Sequence, residues 1–421
     1  MYRTTGIYIK NNKISKYKEI VDAGVPEVVY IPLDRHVGAP AKPVVSKGAE
    51  VKIGTLVAKA DETLSVNVYS SVAGKVVETD DKLITIKTSE DIYEKSIDTS
   101  EGIITEIPDS KTLILEKIRK AGIVGMGGAG FPAAVKLDIP ETCKIECLVI
   151  NGLEGEPYFT ADNRLMVEKA EEIVIGARII NKLLGIQNAI IAVDEENKDA
   201  VKALVGVTKR YIGVNVKAVK NKYPTAAETQ LIKKLFNVEI PKTKLTRDFG
   251  YIVHNVGTVY SIYNAVMKNK PLYERIVTVS GDAADNPQNF LVRAGTPASY
   301  LANKAGSIDN ARLLICGGVM MGTEISDVNT PISLLDGGLL MFKKAKKDTE
   351  ASPCIRCGRC SQNCPVHLQP FEIADRLKIG DTPKLYKLRP SDCINCGICS
   401  YLCPAKIPLL DFIKMAKEQI R

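Results

Sequence analysis

The chain has 421 residues, of which 45% are hydrophobic and 25% are charged, and its formal net charge is +8. This length allows two to four domains with sizeable cores, and the composition excludes a disordered or fibrous protein. No run of about eighteen apolar residues occurs, and the lysines are spread out rather than gathered with aromatic residues. The sequence therefore predicts neither a membrane span nor a nucleic-acid-binding surface.

The first hundred residues divide into a polar segment and a strand-rich domain. Residues 1–25 are lysine-rich and have no clear periodicity, whereas residues 26–100 contain short apolar runs separated by glycine and proline. Such runs predict a small β-barrel or sandwich. The pair formed by residues 47–51 and 72–76 resembles the two halves of a biotinyl/lipoyl-type barrel-sandwich domain. The lysine that carries the prosthetic group in those domains is not evident, so we expect a structural or docking role.

In residues 101–270, helical and strand patterns alternate, which predicts a Rossmann-like domain with a mostly parallel sheet. Ligands of such domains bind beyond the carboxyl ends of the strands. The predicted helices span 112–121, 164–184, 226–236 and 258–267, with another between 193 and 213. The predicted strands span 144–150, 189–193, 213–219 and 251–255.

A glycine-rich loop follows the first of these helices. Five glycines lie between Gly122 and Gly130, so few side chains shield the backbone. A loop of this kind can approach a flat or phosphorylated ligand with its free N–H groups. Glycines that only allow close packing are the alternative, and the generic phosphate-binding motifs do not fit this loop.

Residues 271–345 are predicted to form a β-grasp module of the SLBB type. Its predicted strands are 276–280, 290–292, 297–301 and 313–316. A charged linker at residues 343–350 then leads into the last predicted domain, residues 346–421.

This last segment holds eight of the eleven cysteines. They form two copies of the spacing CxxCxxCxxxCP, the pattern of a two-cluster bacterial ferredoxin, which predicts an α-helical domain with two [4Fe-4S] clusters. The predicted ligand sets are Cys354, Cys357, Cys360 and Cys403 for one cluster, and Cys393, Cys396, Cys399 and Cys364 for the other. Zinc is the alternative, but it needs only four ligands and leaves the Cys-Pro spacing unexplained. Disulfides are disfavoured because a chain of this size does not need them.

Several further stretches carry a family resemblance. They are Gly125 to Pro132 with Lys136, Asn151 to Pro157, Thr160 to Arg164, Tyr223 to Glu228, Asn255 to Thr258, Arg275 to Gly281 and Gly317 to Gly322. Together with the cysteine-rich tail they resemble the RnfC family, whose flavin and NADH site is similar to that of the flavoprotein subunit of respiratory complex I. The resemblance extends from about Val28 to Ile413.

The sequence also departs from the family pattern. RnfC chains usually have a cysteine at the position of Gly155, two glycines at the positions of Ala226 and Ala227, and a His-Pro-Pro motif near the start. The loop after Pro331 differs too, and the chain stops soon after the second cysteine motif. These departures favour the soluble branch exemplified by PrdC, which is associated with D-proline reductase.

The resemblance implies which residues hold FMN and NADH. Lys136 would lie near the flavin phosphate or ring. Glu154 and Glu156, the candidate catalytic residues, would hydrogen-bond ribityl or ring atoms of the flavin and the nicotinamide side. Phe131 would stack on an aromatic ring of a ligand. The other implied cofactor-binding residues are Gly125, Gly127, Gly128, Ala129, Gly130, Asn151, Tyr223, Glu228, Asn255 and Thr258.

The implied function is that of an NADH-oxidising electron-transfer enzyme. NADH gives up a hydride while a [4Fe-4S] cluster accepts one electron, so a flavin is the usual converter. We expect electrons to pass from NADH through FMN and two clusters to a partner such as D-proline reductase. Two alternatives are a peripheral RnfC subunit of a membrane-bound, ion-translocating ferredoxin:NAD oxidoreductase, and a non-catalytic relay with a degenerate NADH site. The expected location is cytoplasmic, soluble or membrane-peripheral.

Overall fold

The computed structural model of the protein describes residues 6–140, 142–344 and 350–420. The first strand, β1 (Ile20–Asp22), pairs with a strand that lies about 270 residues further along the chain. The next strands are β2 (Val28–Pro32), β3 (Lys42–Pro43), β4 (Glu50–Val51), β5 (Leu56–Lys59), β6 (Val68–Tyr69), β7 (Gly74–Thr79) and β8 (Leu83–Thr88).

These seven strands form the predicted barrel-sandwich domain. One sheet has the order β2-β8-β7-β4 and the other has the order β3-β5-β6. Alternate residues of β2 face inward, so Val29 and Ile31 are buried. They pack with Val57, Ile84 and Ile86 into one apolar core.

The predicted Rossmann-like domain contains a four-stranded parallel sheet in the order β11-β10-β9-β12. Its strands are β9 (Cys147–Gly152), β10 (Ala189–Asp194), β11 (Val214–Val219) and β12 (Tyr251–Asn255). Its helices are α1 (Lys111–Lys120), α2 (Ala133–Leu137), α3 (Ala161–Glu168), α4 (Ala170–Leu184), α5 (Lys198–Thr208), α6 (Glu228–Phe236) and α7 (Val256–Met267).

The single helix predicted over residues 164–184 is wrong. The structure has two helices, α3 and α4, that meet at Lys169, whose ψ of 35° lies outside the helical region. The two helices share contacts with α5 and α7, but α3 also packs on strands of the next domain, whereas α4 packs mainly on α7 and α5. No glycine or proline marks this break in the sequence.

The β-grasp module is confirmed as part of a six-stranded sheet in the order β1-β14-β13-β17-β15-β16. Its elements are β13 (Glu274–Ser280), β14 (Gln288–Arg293), α8 (Ala298–Ala305), β15 (Leu313–Cys316), β16 (Thr323–Glu324) and β17 (Gly338–Phe342). The strand predicted at 297–301 is wrong, since this stretch begins α8. The buried residues Ala298, Leu301, Ala302 and Ala305 follow the spacing of a helix face.

The ferredoxin domain is helical, as predicted. Its helices are α9 (Arg359–Gln362), α10 (Pro370–Lys378), α11 (Thr382–Leu388), α12 (Ile398–Tyr401) and α13 (Leu409–Gln419). Short 3₁₀ turns occur here and earlier, at Thr246–Phe249, Ile308–Asn310 and Pro390–Asp392. None of the helices in the described ranges combines the length and apolar character that a bilayer crossing requires.

Candidate active site

The candidate site lies at the carboxyl ends of β9 and β12, next to the glycine-rich loop. The loop leaves α1 at Gly122 and enters α2 after Pro132. Gly125 N donates to Phe131 O over 2.8 Å, and Gly130 N donates to Gly125 O over 3.2 Å. These two bonds close the loop into a compact turn at the switch point of the sheet, where ligands of such folds bind.

The tip of this loop is open to a ligand. Gly127, Gly128 and Ala129 are exposed, and their backbone N–H groups donate no hydrogen bond within the described residues. Gly128 has a φ of +108°, and a Cβ built there would have no heavy atom within 4 Å. The loop thus offers free donors and unobstructed space, which fits a flavin.

Residues at the start of α7 and in α3 hold the glycine-rich loop in place. Met126 N donates to Thr258 Oγ1 over 2.9 Å, and Thr258 is fully buried. Asn255 caps α7 by accepting from Gly257 N, and its Nδ2 donates to Asp162 Oδ2 over 2.7 Å. Asn255 and Thr258 therefore hold the loop and the helix N-terminus together.

Lys136 and Glu228 form an ion pair across one edge of the site. Lys136 Nζ lies 2.8 Å from Glu228 Oε2, and Thr246 Oγ1 donates to the other oxygen over 2.6 Å. The pair links α2 to the start of α6. Phe131 is partly buried, and its ring stacks on no other aromatic ring in the described ranges.

Glu154 caps a helix with its side chain. Its two carboxylate oxygens accept from the backbone N–H groups of Asp162 and Asn163 in the first turn of α3. Glu154 is only 8% exposed, and this burial raises the pKa of its carboxyl to about 7. Nearby, Asn151 Nδ2 donates to Ala226 O over 2.8 Å, which joins the end of β9 to the segment before α6.

Glu156 reaches into the β-grasp module. Its Oε2 accepts from Met320 N over 3.0 Å, whereas its buried Oε1 has no partner among the described residues. Burial raises the pKa of this carboxyl as well. One oxygen of Glu156 is thus fixed by the protein, and the other is a buried acceptor without a partner among the described residues.

Tyr223 connects this site to the ferredoxin domain. It is 6% exposed, and its hydroxyl donates to the backbone oxygen of Cys396 over 2.6 Å. Tyr223, Cys396 and Ile398 form a small apolar core against which Met320 packs. The second cysteine motif is therefore seated directly on the flavin domain.

The eight cysteines of the tail surround two small cavities. The first is lined by Cys354, Cys357, Cys360 and Cys403, and the second by Cys364, Cys393, Cys396 and Cys399. A zinc ion needs its sulfur ligands about 2.3 Å from one centre. Within the described ranges no three His, Cys, Asp or Glu side chains converge in that way. Thiols arranged around a space, with apolar walls, fit the larger [4Fe-4S] cluster.

The sequence analysis missed the contribution of the N-terminal segment, residues 6–22. Lys13 Nζ donates to the backbone oxygens of Glu154, Glu156 and Phe159 over 3.2, 3.0 and 2.6 Å. Lys13 is thus bonded to the loop that carries both candidate catalytic glutamates. Nothing in the sequence distinguishes Lys13 from the other lysines of this segment, so the contact could not be predicted.

Three other reactive side chains, those of Cys147, Cys316 and His254, are held inactive by burial. Burial raises the pKa of Cys147 to about 11 and also raises the pKa of Cys316, which makes both thiols unreactive. His254 is 3% exposed, and burial lowers its pKa well below the usual value.

Three sequence families match this chain, and together they follow the order of its domains. The RnfC barrel sandwich hybrid domain matches residues 3–96, the Nuo51 FMN-binding domain matches residues 118–264, and the 4Fe-4S dicluster domain matches residues 353–407. These matches confirm the predicted FMN and the two predicted [4Fe-4S] clusters.

Two solved structures share the fold. Those of an NAD⁺-reducing [NiFe]-hydrogenase in the H₂-reduced and air-oxidised states give TM-scores of 0.54 and 0.56 at 19% and 18% identity. They cover 74% and 75% of this chain, which spans 62% and 68% of the hydrogenase chains. At this identity the likeness concerns the fold alone.

Three curated relatives match this chain over more than four fifths of their own length. A subunit of the proton-translocating ferredoxin:NAD⁺ oxidoreductase complex of Clostridium ljungdahlii is 39% identical over 86% of this chain and 81% of the relative. The corresponding subunit of the Na⁺-translocating complex of Acetobacterium woodii is also 39% identical, over 94% and 91%. That of the ion-translocating oxidoreductase complex of Rhodobacter capsulatus is 36% identical, over 99% and 82%. From its domain order, its site and these relatives, the chain belongs to the RnfC family.

Proposed function

We propose that this protein is the NADH-oxidising subunit of a membrane-associated ferredoxin:NAD oxidoreductase. The observation that carries the proposal is the contact of Tyr223 with Cys396, which joins the flavin domain to the cavity of one cluster. The relatives named as subunits of such complexes support it. NADH would enter at the open tip of the glycine-rich loop.

The chain's own residues would bind and orient the cofactors. FMN, when bound, converts the two-electron chemistry of NADH into single-electron transfers. The free N–H groups of Gly127, Gly128 and Ala129 would donate to anionic oxygens of the ligand. Glu156 would accept a hydrogen bond through its unpartnered Oε1. Glu154 would act by fixing α3, because both of its oxygens are already used.

The two cysteine sets would ligate one [4Fe-4S] cluster each. Cys364, Cys393, Cys396 and Cys399 lie at the end of the ferredoxin domain that contacts Tyr223, so their cluster would be nearer to the flavin. The other set would hold the outer cluster. Cys354 and Cys357 of that set are exposed, so their cluster would be the one that meets a partner.

The surface over the outer cluster suits an acidic partner. Ile355 is 67% exposed and lies between the exposed Cys354 and Arg356, with the exposed Arg359 on the next turn. Neither arginine forms an ion pair within the described residues. An acidic surface on the partner would pair with both, and the contact would weaken as salt rises.

Two candidates exist for the protein partner that accepts the electrons. The relatives are named as subunits of ion-translocating complexes, whereas none of the named relatives supports D-proline reductase, the partner that the departures from the family pattern favour. Cytoplasmic extract and membranes should be separated from native cells and probed for the protein. Recovery with integral membrane subunits supports the proposal, and recovery with a cytosolic reductase rejects it.

NADH oxidation itself needs a separate test. The purified protein with reconstituted clusters should reduce an artificial dye with NADH under anaerobic conditions, and added FMN should increase the rate. If the flavin-loaded protein does not oxidise NADH, the result would favour the non-catalytic relay.

A further inference from the structure

The N-terminal segment follows the loop 154–160 along its whole length. Tyr158 N donates to Asn11 O over 2.7 Å, and the hydroxyls of Ser15 and Thr160 lie 2.7 Å apart. Between these two contacts lies Lys13. A segment bonded at three successive points restrains the loop that follows β9.

Lys13 acts on the backbone of this loop rather than on its carboxylates. An ammonium group has three protons, and each is directed at one of the three backbone oxygens of Glu154, Glu156 and Phe159. The carboxylates of Glu154 and Glu156 take their hydrogen bonds from α3 and from Met320 instead. Removing Lys13 would therefore leave three carbonyl oxygens facing each other without a donor.

The charges around Lys13 increase this effect. Burial lowers the pKa of Lys13, and the carboxylates of Glu154, Asp194, Glu156 and Asp162 oppose this shift by stabilising the ammonium. Without a cation, four acidic groups and three carbonyl dipoles would surround one partly buried space.

We propose that Lys13 is a positioning residue, an internal cation that fixes the loop carrying Glu154 and Glu156 and so sets how tightly the site holds its ligands. The proposal deepens the proposed function, on which it rests for the identity of NADH as a ligand. According to this proposal, the positive charge stabilises the loop, and any small ammonium ion at the same place would do so too.

The test is to replace the lysine and to supply a cation from solution. Lys13→Ala removes the ammonium and most of the side chain, and we expect it to weaken FMN binding about tenfold or more, because three charge-assisted bonds are lost. FMN affinity is measured from the fluorescence of free FMN, in sodium chloride and in the same concentration of ammonium or ethylammonium chloride. Recovery of affinity in the ammonium salts but not in sodium chloride is the expected result.

Lys16→Ala is the matched control. Lys16 lies in the same segment, and its Nζ also donates to a backbone oxygen, that of Glu196, over 2.6 Å, but away from the loop 154–160. We expect Lys16→Ala to bind FMN as the unmodified protein does and to show no dependence on ammonium. The same dependence in both variants would overturn the proposal.

Every other outcome also decides the proposal. Unchanged FMN affinity in Lys13→Ala overturns it, and so does weakened affinity that no ammonium salt restores. If Lys13→Ala does not fold, Lys13→Met keeps the aliphatic chain and lacks only the ammonium. A methionine variant with normal FMN affinity, or one that also fails to fold, assigns Lys13 another role. FMN affinity is measured without NADH, so failure here is distinct from failure of the unmodified protein to oxidise NADH.

Discussion

Gly155 and Ala226 are neighbours in the site, although 71 residues separate them. A Cβ built on Gly155 would lie 3.3 Å from Cβ of Ala226 and 3.6 Å from Cδ2 of Tyr223. The RnfC chains that this sequence resembles usually have a cysteine at the first position and a glycine at the second. Position 155 therefore has a smaller residue than is usual in the family, and position 226, which it contacts, has a larger one. The two departures compensate in volume and do not by themselves indicate a degenerate site.

A double-mutant cycle tests this compensation. Gly155→Cys alone should destabilise the protein by about 1–3 kcal/mol, because the added side chain overpacks against Ala226. Ala226→Gly in the same chain should recover most of that loss. Free energies of unfolding from denaturant titrations of the two single variants and the double variant give the coupling. Strictly additive effects would show that the two positions do not share space.

The open position of Gly128 leads to a prediction about FMN. Gly128→Val places a branched side chain where the loop has a positive φ and where the ligand is expected, so we predict loss of FMN binding with both clusters retained. Flavin content and acid-labile sulfide of the purified variant measure the two outcomes.

Gly206→Val is the control for this substitution. Gly206 lies in α5, and its added Cβ would also meet nothing within 4 Å. This variant should keep its flavin. Normal flavin content in Gly128→Val would mean that the loop serves packing only.

Among the elements, α3 depends on a carboxylate that the sequence assigned to catalysis. A motif identifies Glu154 but does not tell whether its oxygens face a ligand or a helix. The bonds from Asp162 and Asn163 show that they face the helix. The positions of Asn255 and Thr258 at the start of α7 follow more directly from the sequence, because a strand that feeds a helix brings its last residues to the carboxyl edge.

The raised pKa of Glu154 leads to a prediction about pH. The pKa of Glu154 is about 7 in the folded protein, against about 4.3 for a glutamate in an unfolded chain, so the folded protein binds a proton at this group between these two pH values. The contribution of the protonated carboxyl to the free energy of unfolding is therefore complete below about pH 4 and is lost as the pH rises through about 7. Glu154→Gln cannot ionise, so its stability should fall less than that of the unmodified protein between pH 5 and pH 8, as measured by urea denaturation.

Glu101→Gln controls for the loss of a glutamate, since Glu101 is exposed. It should leave the pH dependence of stability unchanged. Equal pH dependence in the Glu154 variant and the unmodified protein would contradict the assignment.

Elements with a strong local pattern were predicted, and those that depend on distant partners were not. The strand at Tyr251–Asn255 matches the prediction residue for residue. The stretch 297–301 has apolar residues that suit either period, and the packing of α8 on the sheet decides between them. The strand β1 has only three residues, and its partner in β14 cannot be identified from the sequence around it.

At the scale of the whole molecule, the ferredoxin domain is joined to both neighbouring domains. Tyr223 contributes from the flavin domain and Met320 from the β-grasp module, and both pack on Ile398. The cysteine spacing predicted the cluster domain. It could not predict where that domain packs, because the residues that form the contact come from separate parts of the chain and share no motif.

The two cysteine-lined cavities lead to a prediction about metal content. Each cavity has four thiols, so protein purified without oxygen should contain about eight irons and about eight acid-labile sulfides per chain. Chemical analysis of iron, sulfide and zinc measures this. A preparation with zinc and no sulfide would contradict the assignment, and Cys147→Ser, outside both cavities, should leave the iron content unchanged.

The pairing of β1 with β14 has a consequence for synthesis of the protein in the cell. Residues 20–22 emerge from the ribosome early, but their partners at residues 289–291 are made only after about 270 further residues. At the usual rates of translation this interval is roughly 15 to 50 s. During it, the N-terminal segment can bond to the loop after β9 but has no strand to pair with at residues 20–22. The anchoring of this segment is thus completed only when about two thirds of the polypeptide has been made.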